Sequence, residues 1–363
     1  MNDFEKSISF ALNTRKEQGN LRKLELFDYK IDFASNDYLG FGRRNETENI
    51  SHTSGSSRLI AGNHEIHVLT EQKIARFFNS PSALLYNSGY LANLGVIPTL
   101  IKRNDIIIYD ELCHASMREA ISLSKAKSLK FKHNDVEDLK RLIEKFPGKQ
   151  KFILTEGLFS MTGDIAPIEE IIDLAKKSNS KIILDEAHSG GVFGGEGKGV
   201  LETFDQEVVV AKIITFGKAF GAFGAAVLSS NLIKGYLVNF SKAFIYTTAM
   251  SKASVELVNK RLNSTDVKNA LLRLRFNIDY FNKQLLLPTC SHAESPIQVI
   301  KINNRTKLKD IETKLKQKGI GIKAILAPTV PEKDECLRVS IHSFNTEKEI
   351  KLLTEMLNEM SSQ

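Results

Sequence analysis

Three side chains near the middle of the chain have the types and spacing of a reaction centre. Asp185 closes the apolar run KIILD (181–185), so it falls at the carboxyl end of a buried strand, where open α/β sheets bind ligands. His188 follows three residues on. Alone, this pair reads equally well as a carboxylate capping the next turn and a ring that only packs. About thirty residues later, TFGKAFGAFGAA (215–226) opens at the end of the next strand and sets Lys218 in a loop among Phe216, Phe220 and Phe223. Gly217, Gly221 and Gly224 allow close backbone approach there. An ordinary solvated loop lysine needs no such surround. Apolar neighbours disfavour the ammonium, and a neutral amine can form a Schiff base.

A Schiff-base lysine paired with a strand-end carboxylate is what pyridoxal 5′-phosphate (PLP) requires. The carboxylate keeps the pyridine nitrogen protonated, so that the ring accepts electrons from a substrate carbanion, and Asp185 suits that role. His188 is placed to hydrogen-bond the ring's phenolic oxygen. A phosphate cradle is expected elsewhere on the sheet edge, and LLYNSGYLANLG (84–95) supplies one. Ser88, Gly89 and Tyr90 fall at a strand-to-helix turn, where free N–H groups and the helix dipole favour a dianion. As a lone tripeptide, that is a weak signal. Thr215 adds a hydroxyl three residues before Lys218. DELCHAS (110–116) puts His114 just after another strand, where its ring could stack on the cofactor; taken singly, a packed loop histidine is the better reading.

The scaffold that must hold these residues is an α/β one. Residues 1–30 read as a helical arm, followed by a short strand and turn in IDFASNDYLG (31–40) and a polar loop from Gly42 to Ser57. Helical spacing marks 64–78, 134–146 and 165–178. Short apolar runs mark strands at 105–110, 151–157, 181–188, 208–216 and 224–230. Continuous apolar strands between amphipathic helices imply a mostly parallel sheet covered on both faces. The last hundred residues are expected to form a smaller α+β unit. There a helix stops at Gly319, strands lie in IGIKAIL (320–326) and CLRVSIH (336–342), and Thr346 and Glu349 box the start of a final helix. The expected division is an arm over 1–45, a large cofactor-binding domain over 46–255 and a small domain over 256–363, with the boundary near 245–265.

Composition narrows the function classes. The 363 residues are 42% hydrophobic and 26% charged, as in soluble globular proteins. No stretch nears the ~20 apolar residues of a membrane span, and the polar start lacks a signal-peptide core, so a cytoplasmic address is the default expectation. Cys113, Cys290 and Cys336 are too few and too scattered for a disulfide frame or a zinc site. The net charge of +7 comes from scattered residues, with no nucleic-acid arm. It reads equally as a solvated basic surface and as a field that draws an anionic substrate, such as a nucleotide-bearing thioester or an acidic carrier protein. GGVFGGEGKG (190–199) follows the Asp185 strand as a flexible connection and leads into no obvious helix; no GxGxxG or GxxxxGKS follows a strand.

Together these segments resemble the α-oxoamine synthases, a fold-type I PLP-dependent transferase family. The resemblance runs from SNDYLGFG (35–42) to LRVSIH (337–342), with at least seven separated motifs in order. KHNDVEDL (132–139), TEGLFSMTGDIAPI (155–168), TFGKAFGAFGAAVL (215–228), FIYTTAM (244–250) and APTVP (327–331) resemble the branch that joins L-alanine to a pimeloyl thioester in biotin synthesis. The family pattern implies that Lys218 carries the cofactor, Asp185 pairs with the pyridine nitrogen, and His188 and Ser160 lie at the phenolic oxygen. It implies that His114 stacks on the ring and that Gly89, Tyr90 and Thr215 hold the phosphate, which Thr248 or Thr247 reaches from the partner subunit of a homodimer. Arg338 would clamp the amino acid's carboxylate, and Arg22, Asn36 and Thr329 would meet substrate. The implied reaction is a decarboxylative condensation, in which Lys218 takes the α-proton and the carbanion attacks an acyl thioester of coenzyme A or a carrier protein. Two departures stand out: the Gly42–Ser57 loop and the region around 260–275 look shorter than usual, and they border the substrate tunnel and the domain junction. The rivals are siblings using glycine with acetyl-CoA, glycine with succinyl-CoA or serine with a palmitoyl thioester. Outside that class stands a non-catalytic PLP-binding subunit or regulator; the presence of Lys218 and the lack of a spare helix-turn-helix weigh against it.

Overall fold

The strands of the central region are short apolar runs, and in the computed structural model they form one sheet. The structure describes residues 13, 14, 16–18, 30–41, 53–202, 207–302 and 304–362. Arg22, most of the expected N-terminal arm and residues 42–52 of the expected loop lie outside them. In chain order the elements are β1 (Ile31–Asp32), α1 (Glu65–Phe77), β2 (Ser82–Tyr86), α2 (Gly89–Leu100), β3 (Ile106–Asp110), α3 (Ala115–Ser124) and β4 (Lys127–Phe131). Next come α4 (Val136–Glu144), β5 (Lys151–Glu156), α5 (Ile168–Lys177), β6 (Lys181–Asp185), β7 (Val209–Thr215) and β8 (Ala225–Ser229). The helices α6 (Asn231–Phe240), α7 (Lys242–Ile245), α8 (Lys252–Arg261) and α9 (Ser264–Gln284) follow. The chain closes with β9 (Ile297–Lys301), α10 (Arg305–Gln317), β10 (Ile320–Gly321), β11 (Lys323–Ile325), β12 (Cys336–Ser340) and α11 (Glu347–Ser362).

The central sheet has the order β2-β8-β7-β6-β5-β3-β4, and only β8 runs antiparallel to its neighbours. Alternate residues of one strand enter opposite cores: Ile182 and Leu184 join one cluster, and Ile183 the other. Both faces are therefore apolar, which is why these strands read as unbroken hydrophobic runs. The parallel strands put Asp110, Glu156, Asp185 and Thr215 at the ends of β3, β5, β6 and β7, on one edge of the sheet. The strand β4 escapes sequence reading because it is an edge strand: Lys127, Ser128 and Lys130 face outward and only Phe131 is buried.

The C-terminal part carries a three-stranded antiparallel sheet, β11-β12-β9. IGIKAIL is expected as one strand, but the chain changes partners at the buried Ile322. Ile320–Gly321 pair in parallel with β1, while Lys323–Ile325 pair with β12. That switch binds the 31–41 segment to the C-terminal sheet, reinforced by Ser340 N–H donating to the Phe33 carbonyl at 2.9 Å. The helix α10 ends before Gly319 at φ 75°, and Thr346 and Glu349 exchange side-chain-to-backbone hydrogen bonds ahead of α11, both as expected. Among the described residues, no helix is long and apolar enough to cross a membrane.

Candidate active site

A cavity of about 360 Å³ opens at the carboxyl edge of the central sheet. Lys218 reaches it from the turn between β7 and the antiparallel β8. The turn is pinned by Phe216 N–H to the Gly224 carbonyl at 2.9 Å and Ala222 N–H to the Phe216 carbonyl at 2.8 Å. Phe216 and Phe220 are buried, and Phe220 meets Phe77 and Phe78 edge to face. Phe223, expected in the same apolar wall, is instead 57% exposed at the cavity rim, because the reversal into β8 turns it away from the core. Gly224 has φ 103°, and a Cβ there would lie 2.4 Å from Met250 Cε, so glycine is required. Burial lowers the Lys218 pKa to about 8 against the opposing charges of Asp185 and Glu156.

Asp185 is buried at the end of β6, lines the cavity, and takes one donor on each oxygen. Its Oδ1 accepts from Ala187 N–H at 2.9 Å, and its Oδ2 accepts from Asn93 Nδ2 at 2.8 Å. The same amide nitrogen donates to Ser116 Oγ at 3.0 Å, and Ser116 Oγ lies 2.8 Å from His114 Nδ1. The Ser116 N–H also donates to His114 Nδ1 at 3.2 Å, so this nitrogen is an acceptor and the ring carries its proton on Nε2. His114 caps α3 and is exposed to the cavity, so its ring is available for stacking. Burial lowers its pKa.

The strand-to-helix turn forms as expected, with Ser88 capping α2 by accepting from Leu91 N–H at 3.2 Å. The first-turn N–H groups of Gly89 and Tyr90 have no acceptor one helical turn back. A Cβ on Gly89 would lie 2.5 Å from Thr215 Cγ2, so only glycine lets this turn close over Thr215. Asn87 Nδ2 donates to Thr247 Oγ1 at 3.1 Å and to the Thr248 carbonyl at 2.9 Å, which holds both threonines beside the turn of their own chain. Thr248 is exposed there.

Arg338 is buried behind Asn36, which lines the cavity. Its Nε donates to the Ser160 carbonyl at 2.8 Å, Nη1 to Ser340 Oγ at 2.9 Å and Nη2 to Asn36 Oδ1 at 3.0 Å. Three of the five guanidinium N–H groups are thus used for aiming, and the guanidinium also hydrogen-bonds Tyr38. Ser160 contributes its main-chain carbonyl to this grip. Thr329 lies in an exposed turn after β11 and does not line the cavity.

Four residues missed by sequence reading complete the site. Tyr38 OH lies 3.0 Å from Asn36 Oδ1 and 2.9 Å from His188 Nδ1. Burial holds His188 well below the ordinary histidine pKa, so the ring is neutral. Which acceptor takes the Tyr38 proton therefore decides whether the other His188 nitrogen carries one. Asn93 and Ser116 link Asp185 to His114, as described. Glu156 ends β5 directly opposite Asp185 and accepts from His114 N–H at 2.6 Å. Burial, then the Asp185 charge, raises its pKa to about 8. Its signal was present, since it ends its strand as Asp185 ends β6.

The negative charge of Glu156 in turn raises the Lys218 pKa. Glu156→Gln should therefore make the free amine more acidic. In the protein stripped of cofactor, the rate of reaction of Lys218 with added PLP should rise with pH through about 8. The variant should move that rise to lower pH; an unmoved profile would dissociate the two groups.

A strand-end carboxylate for a ring nitrogen, a lysine of lowered pKa, an exposed histidine ring and a glycine turn with unpaired N–H groups match PLP group by group. The profile of the family described as aminotransferase class I and II matches residues 28–357. A protein of Buchnera aphidicola subsp. Baizongia pistaciae named 8-amino-7-oxononanoate synthase is 38% identical over 371 residues, covering 98% of this chain and 95% of that one. The crystal structure of 8-amino-7-oxononanoate synthase from Francisella tularensis matches with TM-score 0.74 at 30% identity, covering 92% of this chain and 98% of that one. Serine palmitoyltransferase of Sphingomonas wittichii matches with TM-score 0.88, over 99% of this chain and 98% of that one; at 23% identity it shows the shared fold.

Proposed function

This chain belongs to the aminotransferase class I and II family, and we propose that it condenses L-alanine with a pimeloyl thioester, of coenzyme A or a carrier protein, to form 8-amino-7-oxononanoate in biotin synthesis. It is a fold-type I, PLP-dependent acyltransferase of the α-oxoamine synthase kind. The substrate pair is supported by similarity over nearly the whole chain to relatives of that name at 33–38% identity. The observation that carries the reading is the meeting of Lys218, Asp185 and the Gly89 turn around one cavity, with Arg338 aimed from behind Asn36.

Lys218, Gly89, Tyr90 and Thr215 would hold the cofactor's aldehyde carbon and phosphate, Asp185 its ring nitrogen and His114 its face. Bound PLP supplies an electron sink for the carbanion formed at the amino acid's Cα. The Arg338 guanidinium grips the amino acid's carboxylate, and three fixed contacts set its plane beforehand. Lys218, freed when the amino acid's amine takes its place at the aldehyde carbon, is then a free amine that takes the proton from Cα, as its lowered pKa allows. The Cα electron pair then attacks the thioester carbonyl carbon and the thiolate leaves. The clamped carboxylate departs as carbon dioxide, and the proton held on Lys218 Nζ returns to Cα. A homodimer would close the open side of the cavity; the exposed Thr248 beside the Ser88 turn and the exposed rim residues Tyr90 and Phe223 support that arrangement.

Arg338→Lys keeps the charge and loses the planar fork. At about 1.5–3 kcal/mol for a hydrogen bond to a charged group, KM for the amino acid should rise roughly 10- to 150-fold while KM for the thioester holds. An unchanged amino-acid KM would remove Arg338 from the substrate's carboxylate. The proposed pair itself is tested by product formation: alanine with pimeloyl-CoA should give the aminoketone, and turnover of glycine with acetyl-CoA in its place would move the enzyme to a sibling reaction.

A further inference from the structure

His133 stands outside the cavity, in the turn after β4, within the KHNDVEDL segment that the reaction leaves unexplained. Its Nδ1 lies 2.9 Å from Asp110 Oδ1, and its Nε2 lies 2.6 Å from Asp164 Oδ2. The ring meets Phe159 edge to face at 4.5 Å. With a carboxylate on each nitrogen, both must carry protons, so the ring is an imidazolium. Burial opposes that charge, but the hydrogen bonds and charges of Asp110 and Asp164 outweigh it and hold the pKa at about 9. Asn134 Nδ2 supports the clasp at 3.2 Å from Asp164 Oδ2, and the Thr162 hydroxyl donates to the same carboxylate. Glu111, at the end of β3, takes the main-chain N–H of His133 at 3.2 Å.

Asp164 belongs to the loop between β5 and α5, which folds back on itself. Phe159 N–H donates to the Asp164 carbonyl at 3.0 Å, and Gly163 N–H donates to the Phe159 carbonyl at 2.9 Å. Ser160, at the tip, gives its carbonyl to Arg338 Nε. The far side of the loop is held by the C-terminal part, where Ser291 Oγ donates to the Thr162 carbonyl at 2.7 Å and His292 N–H to the Gly163 carbonyl at 3.0 Å. The loop therefore joins the β3–β4 end of the central sheet to the carboxylate grip. We propose that His133 is a positioning residue for the amino acid's carboxylate: clasped between Asp110 and Asp164, it fixes the 157–165 loop so that the Ser160 carbonyl aims Arg338. This rests on the reading of Arg338 as the carboxylate clamp.

The folded-state pKa lies above the ordinary 6.5, so the stability the charged clasp contributes is full below pH about 6.5 and is lost as pH rises through about 9, where the folded ring gives up its proton. The test is His133→Ala in the holoenzyme, with Asp164→Asn beside it. Each should raise KM for the amino acid roughly tenfold or more, as for a lost hydrogen bond to a charge, and leave KM for the thioester and the cofactor's absorbance in place. The double variant should be no worse than the worse single one, because both break one clasp. Independently of turnover, the wild type should lose thermal stability between pH 6.5 and 9 relative to His133→Ala, whose profile should be flatter there. An unchanged amino-acid KM in a folded His133→Ala protein overturns the inference, as does an equal loss in every kinetic constant, which marks a merely structural residue. Should His133→Ala not fold, Asp164→Asn decides by the same criteria. If Arg338→Lys also leaves the amino-acid KM unchanged, the clamp reading fails; if Arg338→Lys raises it and the His133 variant does not, only the coupling fails.

Discussion

Lys218→Ala should abolish turnover, with a loss of at least about 10⁴-fold, and should remove the absorbance band of the lysine-bound cofactor. In the proposed mechanism two functions vanish with one amine: the covalent attachment and the base that takes the Cα proton, for which general-base catalysis alone is worth about 10²–10⁴. The fold should survive, because the turn that carries Lys218 is held by main-chain bonds at Phe216 and Ala222 and by the buried rings of Phe216 and Phe220. The substitution also has a local electrostatic consequence. Lys218 lowers the pKa of Glu156 and of His188 through its charge, so its loss should raise both. Retention of the band and of turnover in Lys218→Ala would refute the assignment of the attachment site.

The second large effect is expected from Asp185→Asn. The amide has almost the shape of the carboxylate, but its single oxygen can accept from Ala187 or from Asn93 and not from both, and it carries no charge to hold a proton on a ring nitrogen. Truncating one partner of a buried charge pair costs about 2–5 kcal/mol, so kcat should fall roughly 30- to 5,000-fold. The charge of Asp185 raises the pKa values of Lys218, His114 and Glu156. Its removal should therefore lower all three, and the reaction of the cofactor-free lysine with PLP should shift to lower pH. A variant with near-normal kcat would place the ring nitrogen elsewhere.

What could be read from sequence is what local chemistry announces. Strands buried on both faces are unbroken apolar runs, so β3 and β5 to β8 are visible; β4 is not, because an edge strand with one buried residue has no such run. IGIKAIL reads as one strand because pattern reports burial and says nothing of partners, and the switch at Ile322 is a matter of pairing. Lys218, Asp185, His188, His114 and the Ser88–Gly89 turn carry their own signals, and the fold brings them to one cavity. Asn93 sits mid-helix in LANLG and Tyr38 in a turn, where either would pass for packing. Their importance comes from contacts with Asp185 and His188, 92 and 150 residues away. The His133 clasp is hidden for the same reason, since its two carboxylates lie 23 residues before it and 31 after.

The most direct test of the central claim is a spectral titration of the purified protein with L-alanine, glycine and L-serine, followed by pimeloyl-CoA. A cofactor band that is present at rest, shifts on adding L-alanine and changes again only when pimeloyl-CoA follows is the predicted result. A protein that shows no cofactor band, even after PLP is added, would contradict it.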